Sequence, residues 1–500
     1  MLRRLFIILI ISIVSLLILL ACSGSGQDNQ DSHTMEGENT QTSDTGGESA
    51  DNITERLQPD LPDNLDFGGD TFTFLVTGPG YGYGYYETKD IYAEEQNGDT
   101  INDAVYIRNR NVESKLNINI AEIKSNDVPG DAKTAISAGD TTYDAIFTIM
   151  FESAGMAQNR YIMNIKEIPN IDFDKPWWDK NAAKELAIKN RLYFAESDIS
   201  TMAKSGTIFI VFNKNLIKEY ELGDPYEYIR NDKWTLDVYS QMVKSLYVDV
   251  NGNGMYDDED IYGMWAHNHN PMYFLMGFGE RMTTTNADGI PDITWNTDRL
   301  YSAADKVYDL FYDDRVVRST DKLKATGDFT NVFGYARAGL FANDKFLFFV
   351  GGPGSIIELR SMESDFGLLP MPKMDERQSR YYSPIDPFVT LLSVPVTCED
   401  INKTGTILEV MAAESMYTLR PAYYETLLKR KYLRDSESEF ILDIVFDNRS
   451  YDLGLLFSWG DLFNRMENMF GAKNRNIVSE MEKITDKMKI AIAKTIDSFE

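Results

Sequence analysis

The residues best suited to chemistry form an acidic loop at positions 249–260. The loop follows the pattern D-x-[DN]-x-[DN]-G and ends on a further acid at its twelfth position, an arrangement typical of calcium-binding loops. A hard cation prefers oxygen ligands, and the sharp turn at the sixth position favours a glycine, here Gly254. The predicted ligands are side-chain oxygens and one backbone carbonyl: Asp249, Asn251, Asn253, the carbonyl of Met255, Asp257 directly or through water, and Asp260.

The same loop also has a metal-free interpretation, as a turn rich in asparagine and glycine. Asp260 stands where such loops usually carry glutamate, and its side chain is shorter by one methylene, which predicts a weaker site. The residues that follow, 261–265, have the composition of a strand rather than of an exiting helix. We therefore expect a structural Ca²⁺ that stabilises its surroundings, not a sensor that moves a helix pair.

Histidine and cysteine offer little for catalysis. The sequence has three histidines, and only His267 and His269 lie together in the folded part, without a third metal ligand beside them. We expect ordinary loop histidines there and a buried apolar role for Cys398. The sequence contains no G-x-S-x-G elbow and no H-E-x-x-H motif, so we predict that the protein is not an enzyme.

The N-terminus predicts an extracytoplasmic location. Arg3 and Arg4 precede an apolar run over 5–20, which has the form of a secretory signal and is short for a membrane span. The junction Leu19-Leu20-Ala21-Cys22 resembles the bacterial lipobox. That resemblance implies removal of a signal peptide, 1–21, and a lipid on Cys22 that anchors the chain to the outer face of the cytoplasmic membrane. The alternative, an uncleaved anchor helix, leaves the folded part on the same side.

Composition limits the possible partners. Residues 22–66 are polar, with hardly a large apolar side chain, which predicts a lipidated and disordered spacer. A formal net charge of −29 argues against nucleic acid and against adsorption to an anionic membrane, so the lipid is the expected membrane contact. Beyond the spacer, the hydrophobic content of 43% for the whole chain supports a large core.

Strand and helix patterns alternate from residue 67 onward and predict an α/β fold. Apolar runs at 71–76 and 145–150 read as strands, and helical spacing links Ile101 to Leu116 between them. Such alternation favours a mainly parallel sheet. A second unit begins with the apolar run at 207–212, and a later strand enters the glycine turn 351–355. Ligands of open α/β sheets bind at the carboxyl ends of the strands.

Several short segments recur in a characteristic order along the chain. They are 101–106 with 108–110 and 112–113, 143–146, 212–214, 224–226, 234–237, 366–372 and the lipobox. In this order they resemble the extracellular solute-binding proteins of bacterial ABC importers, in the broad group that includes maltose-binding protein. The resemblance implies a two-lobed periplasmic-binding-protein-like fold with a hinge, and a membrane permease as partner.

The resemblance also implies how the chain divides between the lobes. Residues 67–205 and 389–440 would form lobe 1, and residues 206–388 and 441–500 would form lobe 2, which carries the acidic loop 249–260. The two lobes would close over a solute, and carbohydrate or oligosaccharide is the expected class.

Aromatic side chains at strand ends are the predicted sugar contacts, because their faces stack on pyranose C–H groups. Phe151, Glu152 and Trp459 match positions of sugar contacts in the maltose-type group by resemblance. Trp178 and Trp265 are predicted from their residue type alone. The full predicted set is Tyr81, Tyr83, Tyr85, Phe151, Glu152, Trp178, Trp265 and Trp459.

Alternatives to a sugar-binding protein stay open. The Gly-Pro-Trp turn of maltose-type proteins is replaced here by Gly352-Pro353-Gly354, so one stacking face is missing. A peptide, a nucleoside or a polyamine is therefore an alternative solute. A lipid-anchored glycoside hydrolase is the enzymatic alternative, because such an enzyme needs only two carboxylates in an aromatic cleft.

Overall fold

The computed structural model describes residues 56–81, 86–359, 361–428 and 436–499. The strands in these ranges are, in chain order, β1 Asp70–Thr77, β2 Ile118–Ser125, β3 Ala145–Ile149, β4 Phe209–Asn213, β5 Tyr247–Val248, β6 Ile261–Ala266, β7 Thr283–Thr285, β8 Pro291–Ile293, β9 Val317–Ser319, β10 Phe346–Gly351, β11 Phe366–Leu369, β12 Ser383–Pro384, β13 Thr390–Ser393 and β14 Arg449–Ser450.

The α-helices alternate with these strands. In chain order they are α1 Thr100–Leu116, α2 Val128–Ala138, α3 Met150–Gln158, α4 Lys180–Glu185, α5 Met202–Ser205, α6 Lys214–Glu219, α7 Pro225–Arg230, α8 Leu236–Lys244, α9 Asn270–Gly277, α10 Asp298–Phe311, α11 Thr320–Lys324, α12 Val332–Gly334, α13 Pro353–Ile356, α14 Ile401–Tyr417, α15 Leu419–Leu428, α16 Ser436–Asp447, α17 Leu453–Leu456, α18 Leu462–Gly471 and α19 Ile477–Phe499.

Lobe 1 is built on a sheet with the strand order β13-β3-β1-β2. Strand β1 runs parallel to both neighbours, with Phe74 opposite Ala145 and Phe72 opposite Ile120. Strand β13 joins β3 in the antiparallel direction. The carboxyl ends of β1 and β3 therefore meet at one edge of the sheet, where the following residues can form a common site.

Lobe 2 is built on a sheet with the order β11-β4-β10-β6-β5, and β9 also pairs with β6. Strands β6, β9 and β10 run parallel to one another, so their carboxyl ends share an edge. Residues 346–350 of β10 are all buried, as expected of a strand that is covered on both faces. The loops after β6 and β10 are consequently held next to each other.

Residues 205–208 and 384–389 connect the lobes side by side. The Ile208 amide donates to the Pro384 carbonyl at 2.8 Å, and the Asp386 amide donates to the Gly206 carbonyl at 2.9 Å. Strand β14 adds a further connection by pairing with β12. A Cβ atom on Gly206 would lie 2.1 Å from a Val389 methyl group, so this close approach requires glycine.

A buried group of charges lies beside these connections, and we call it the hinge ion cluster: Asp179, Glu196, Asp198, Lys204 and Arg449. The Arg449 guanidinium lies 2.7 Å from Asp179 and 2.9 Å from Glu196. The Lys204 ammonium lies 2.9 Å from Asp198. Each charge thus has an opposite charge in place of the water it has lost.

The C-terminal segment does not belong to lobe 2 alone, which differs from the expectation for residues 441–500. Phe499 packs on Tyr193 of lobe 1 with ring centroids 4.3 Å apart. The Gln158 amide, also in lobe 1, donates to the Thr495 hydroxyl at 2.7 Å. Helix α19 contacts α10 of lobe 2 as well. The end of the chain therefore bridges both lobes.

The end of the predicted spacer is also packed rather than free. The Leu57 amide donates to the Tyr417 hydroxyl at 2.7 Å, and Leu61 and Leu65 pack against the core. The signal peptide, Cys22 and the spacer up to residue 55 lie outside the described residues. None of the helices in the described ranges combines the length and the apolar character that a membrane span requires.

Candidate functional site

The loop after β1 is drawn tightly against the end of β2. The Gly78 amide donates to the Ser125 carbonyl at 2.7 Å, and the Gly80 amide donates to Asn126 Oδ1 at 2.9 Å. A Cβ atom on either glycine would lie within 2.9 Å of the Asn126 side chain, so a larger residue at either position would displace that side chain. This anchoring delivers Tyr81 to the carboxyl edge of the sheet.

Tyr81 and Glu152 meet at that edge, as two of the residues predicted from sequence. The Tyr81 hydroxyl donates to Glu152 Oε1. The other carboxylate oxygen, Oε2, is buried and has no hydrogen-bond partner among the described residues. Burial raises the pKa of Glu152, while the hydrogen bond from Tyr81 opposes that rise. A buried acceptor without a donor is costly and is available to a donor on a ligand.

An aromatic surface adjoins this pair. Phe388, which follows the connection between the lobes, stacks on Tyr86 with ring centroids 5.2 Å apart and meets Phe151 edge-on at 5.3 Å. Phe151 remains 39% exposed despite these contacts. An exposed aromatic face beside an unsatisfied carboxylate offers both kinds of contact that a sugar ring uses.

Lobe 2 approaches this surface through Tyr273 on helix α9. Its hydroxyl lies 3.5 Å from Asp386 Oδ2, on the connection between the lobes. Burial holds the pKa of Tyr273 well above its usual value, and the charges of Asp386, Tyr86 and Glu467 add to that effect. Tyr86 belongs to lobe 1 and Glu467 to the C-terminal segment, so side chains from both of these parts of the chain act on a hydroxyl of lobe 2. We call this region the interlobe cleft: Tyr81, Tyr86, Phe151, Glu152, Phe388, Asp386, Tyr273, His269 and Glu467.

The glycine turn after β10 supports the cleft from lobe 2. A Cβ atom on Gly352 would lie 2.9 Å from the carbonyl oxygens of Ser205 and Thr207, so the turn packs directly on the segment between the lobes. The Ser355 hydroxyl donates back to the Gly352 carbonyl at 2.5 Å. The turn therefore brings lobe 2 close to the hinge and offers no aromatic face there.

The predicted tryptophans are buried, which differs from their expected place on the cleft surface. Trp178 donates its indole N–H to Glu409 Oε2 at 2.8 Å, and Trp177 donates to Oε1 of the same carboxylate. Trp265 donates to the Thr320 hydroxyl at 3.1 Å. Both Trp178 and Trp265 are only 3% exposed, because each ring fills core space and its N–H has a partner within the fold.

Trp459 is likewise part of the core. Its ring stacks on Phe457 with centroids 5.0 Å apart and an interplanar angle of 7°. Its indole N–H donates to the Thr495 hydroxyl at 3.0 Å. With 2% of its surface exposed, Trp459 holds the C-terminal segment together instead of presenting a face to a solute.

Tyr83 and Tyr85 lie outside the described residues, so their place relative to the cleft stays a prediction. Sequence reasoning did not assign Asp386, Phe388, Tyr273, His269 or Glu467 to the site. Their position is the signal in the sequence: His269 follows β6, and Asp386 and Phe388 lie on the connection between the lobes.

The acidic loop 249–260 connects β5 and β6, which pair in the antiparallel direction. Asp249 Oδ1 accepts from the Gly252 amide at 2.7 Å, and its Oδ2 accepts from the Gly254 amide at 2.9 Å. Both glycines have φ near +69°, the left-handed conformation that curls the loop around its acids. Asp260 is fully buried beneath the loop.

Three of the predicted ligands meet in this loop. Asn251 and Asn253 both donate their amide N–H groups to Asp257 Oδ2, at 3.3 and 2.8 Å. The Asn253 amide is the main cause that lowers the pKa of Asp257, which keeps this carboxylate charged. Carboxylate and amide side chains of this kind have the oxygen atoms that Ca²⁺ prefers as ligands.

No protein-family model and no curated protein matches the sequence. Solved structures do match the fold. An ABC substrate-binding protein from Listeria monocytogenes, in complex with cycloalternan, is 13% identical with a TM-score of 0.52 and covers 86% of this chain and 99% of its own. A sugar transporter from Rhizobium etli in an open conformation gives 13% identity and a TM-score of 0.56, with coverages of 84% and 99%.

A cyclo/maltodextrin-binding protein complexed with maltotetraose gives a similar result, with 12% identity, a TM-score of 0.54 and coverages of 86% and 96%. At such identities the likeness is one of fold. The predicted α/β, two-lobed periplasmic-binding-protein-like fold is therefore confirmed, and the resemblance noted in the sequence holds at that level.

Proposed function

We propose that this chain is the substrate-binding component of an ABC importer and that it captures a carbohydrate or oligosaccharide between its lobes. The observation that carries the proposal is the pairing of an exposed aromatic face, Phe151, with the unsatisfied carboxylate oxygen of Glu152. A sugar ring places C–H groups against the first and hydroxyl donors against the second. Similar structures with bound cycloalternan or maltotetraose support the same solute class.

The protein would capture its solute without covalent chemistry, because we propose that it is not an enzyme. A solute that contacts residues of both lobes binds the closed arrangement more tightly than the open one, and this difference in affinity drives closure. The closed form then meets the membrane permease. A lipid on Cys22 would keep the chain at the outer face of the same membrane, in reach of that partner.

Isothermal titration against a panel of oligosaccharides tests this function. We expect heat of binding with at least one of them, and a Phe151→Ala variant should bind that sugar about fivefold more weakly, because one stacked aromatic face contributes about 1 kcal/mol. The matched control is Ile490→Ala on the C-terminal helix α19. It removes an apolar side chain that is 70% exposed.

The same titration includes a peptide, a nucleoside and a polyamine. Heat with one of these and with no sugar would reject the carbohydrate assignment while retaining solute binding. Equal sugar affinities for wild type and Phe151→Ala would remove the aromatic face from the binding site. Release of reducing sugar from an oligosaccharide would instead favour the hydrolase alternative.

A structural Ca²⁺ in the acidic loop 249–260 is also part of this proposal. Asp249, Asn251, Asn253, the Met255 carbonyl, Asp257 and Asp260 would hold the ion. The bound ion would neutralise carboxylates of the loop and tie the β5–β6 connection to lobe 2. Arg318 supports the loop from strand β9, since its guanidinium donates to the Tyr256 carbonyl at 2.9 Å and pairs with Asp258.

Removal of Ca²⁺ is expected to lower the melting temperature. A ligand at a hundred times its dissociation constant contributes about 2.7 kcal/mol to the free energy of unfolding, and chelation removes that contribution. Differential scanning calorimetry with EDTA and then with added Ca²⁺ measures the effect. The Asp249→Asn variant should show no response to Ca²⁺, and a wild-type melting temperature that is unchanged by either addition would contradict the assignment.

A further inference from the structure

Two histidines and a glutamate from distant parts of the chain converge at the interlobe cleft. His267 and His269 follow strand β6, and Glu467 lies on helix α18. One ring nitrogen of each histidine and one carboxylate oxygen of Glu467 lie within 4.8 Å of one another. We call this group the His267/His269/Glu467 triad. The acidic loop 249–260 is separate from it.

The loop that carries the histidines is locally fixed. The His267 amide donates to Asn270 Oδ1 at 2.7 Å, and the His269 amide donates to His267 Nδ1 at 3.3 Å. The Asn270 amide donates back to the His267 carbonyl at 2.9 Å. These bonds hold both imidazole rings on one short turn at the start of α9, with ring centroids 4.4 Å apart.

The closest pair of atoms in the triad does not form an ordinary hydrogen bond. His269 Nε2 lies 2.9 Å from Glu467 Oε2, but the two groups do not have hydrogen-bond geometry, and Nε2 has no hydrogen-bond partner among the described residues. The contact is an ion pair when His269 carries a second proton, and without that proton the ring nitrogen and the carboxylate present two adjacent ligand atoms.

Aromatic rings flank the triad. Phe463 packs against His269 at 4.6 Å and Phe333 against His267 at 5.0 Å. The carboxylate of Glu467 supplies a negative charge that a divalent cation can neutralise.

The ligand set selects among metals. Two imidazoles and one carboxylate suit a borderline ion such as Zn²⁺, which takes nitrogen and oxygen ligands at 2.0–2.2 Å in a tetrahedral arrangement, about 3.3 Å apart. The three ligand atoms lie within 4.8 Å of one another, and His269 and Glu467 keep 21% and 32% of their side-chain surfaces exposed. Ca²⁺ prefers oxygen ligands alone.

An ion can also reach the triad. His267 borders a groove of about 320 Å³ on lobe 2, which is lined further by Pro271, Phe311, Tyr312 and Phe470. Three protein ligands leave the fourth position of a tetrahedral site open to water or to an oxygen atom of another molecule.

We propose that His267, His269 and Glu467 form a Zn²⁺ site that links the β6–α9 turn to helix α18 at the interlobe cleft. This site is independent of the proposed solute and of the acidic loop. Bound Zn²⁺ would fix Glu467 and His269 beside Tyr273 and Asp386, and so would set the lobe 2 side of the cleft.

Titration of the metal-free full chain with Zn²⁺, in the absence of any solute, tests this site. We expect one tight site per chain and a higher melting temperature with Zn²⁺. Replacement by Co²⁺ should give the visible absorption bands of a four-coordinate nitrogen and oxygen site. His269→Gln and Glu467→Gln should each weaken Zn²⁺ binding about a hundredfold or more, because each removes one of three ligands.

Two control variants separate this site from other acidic positions. Glu482→Gln removes an exposed carboxylate from helix α19, and Asp249→Asn disrupts the acidic loop. Both should keep the tight Zn²⁺ site. No tight Zn²⁺ binding by the wild type, or equal Zn²⁺ affinity in wild type, His269→Gln and Glu467→Gln, would overturn the proposal. Neither result would change the outcome of the solute titration. The Zn²⁺ site and the proposed solute-binding function can therefore be rejected independently.

Discussion

Replacing Arg449 by methionine is expected to lower the free energy of unfolding by about 3–5 kcal/mol, the cost of leaving a buried charge without its partner. Arg449 is paired with Asp179 at 2.7 Å and with Glu196 at 2.9 Å, and all three side chains are buried. Without the guanidinium, Asp179 loses its nearest positive charge, and Glu196 keeps only Lys204 at 3.4 Å. Denaturant unfolding followed by circular dichroism measures the change.

A second replacement separates the charge effect from the loss of packing. In the Glu196→Gln, Arg449→Met double variant one of the stranded carboxylates is gone, so the double variant should be more stable than the sum of the two single changes predicts. Arg377→Met is the matched surface control, because the Arg377–Asp375 pair lies at the surface and should contribute little. An Arg449→Met midpoint equal to that of the wild type would contradict the role of the hinge ion cluster.

Replacing Trp459 by alanine is expected to cost about 3–5 kcal/mol, as for other large buried aromatic side chains. The change removes the stack on Phe457 and the bond to Thr495, both of which hold the C-terminal segment together. Calorimetry should therefore show a lower melting temperature.

The more conservative Trp459→Phe variant distinguishes a core residue from a sugar contact. Phenylalanine retains most of the stacked area, and Thr495 keeps its bond from Gln158, so the cost should be about 1 kcal/mol. The affinity for the solute should equal that of the wild type. Weaker solute binding at unchanged stability would indicate that Trp459 contacts the solute at the cleft surface.

The parts of the fold that follow local patterns could be predicted from the sequence. The apolar run at 145–150 contains the buried strand β3, which ends at Ile149, and the helical spacing from Ile101 to Leu116 lies within α1, which Asp99 caps. Thr235 caps α8 as its position before the helix indicates. These features depend on residues that are near in sequence, so one short segment contains the information.

The remaining features depend on contacts between distant segments. The three tryptophans have the residue type of a sugar site, but partners far along the chain bury Trp178, Trp265 and Trp459. Glu467 meets His269 only because α18 returns to the start of α9. Residue type and spacing contain no information on such long-range contacts, which form when the lobes and the C-terminal segment pack together.

Small-angle X-ray scattering with and without a saturating oligosaccharide is the decisive test of whether a solute is held between the two lobes. A solute that contacts both lobes should stabilise the closed arrangement, so we predict a smaller radius of gyration in its presence. The sugar used is the one that gives heat in the titration. Saturation confirmed by that heat, together with an unchanged radius of gyration, would contradict capture between the lobes.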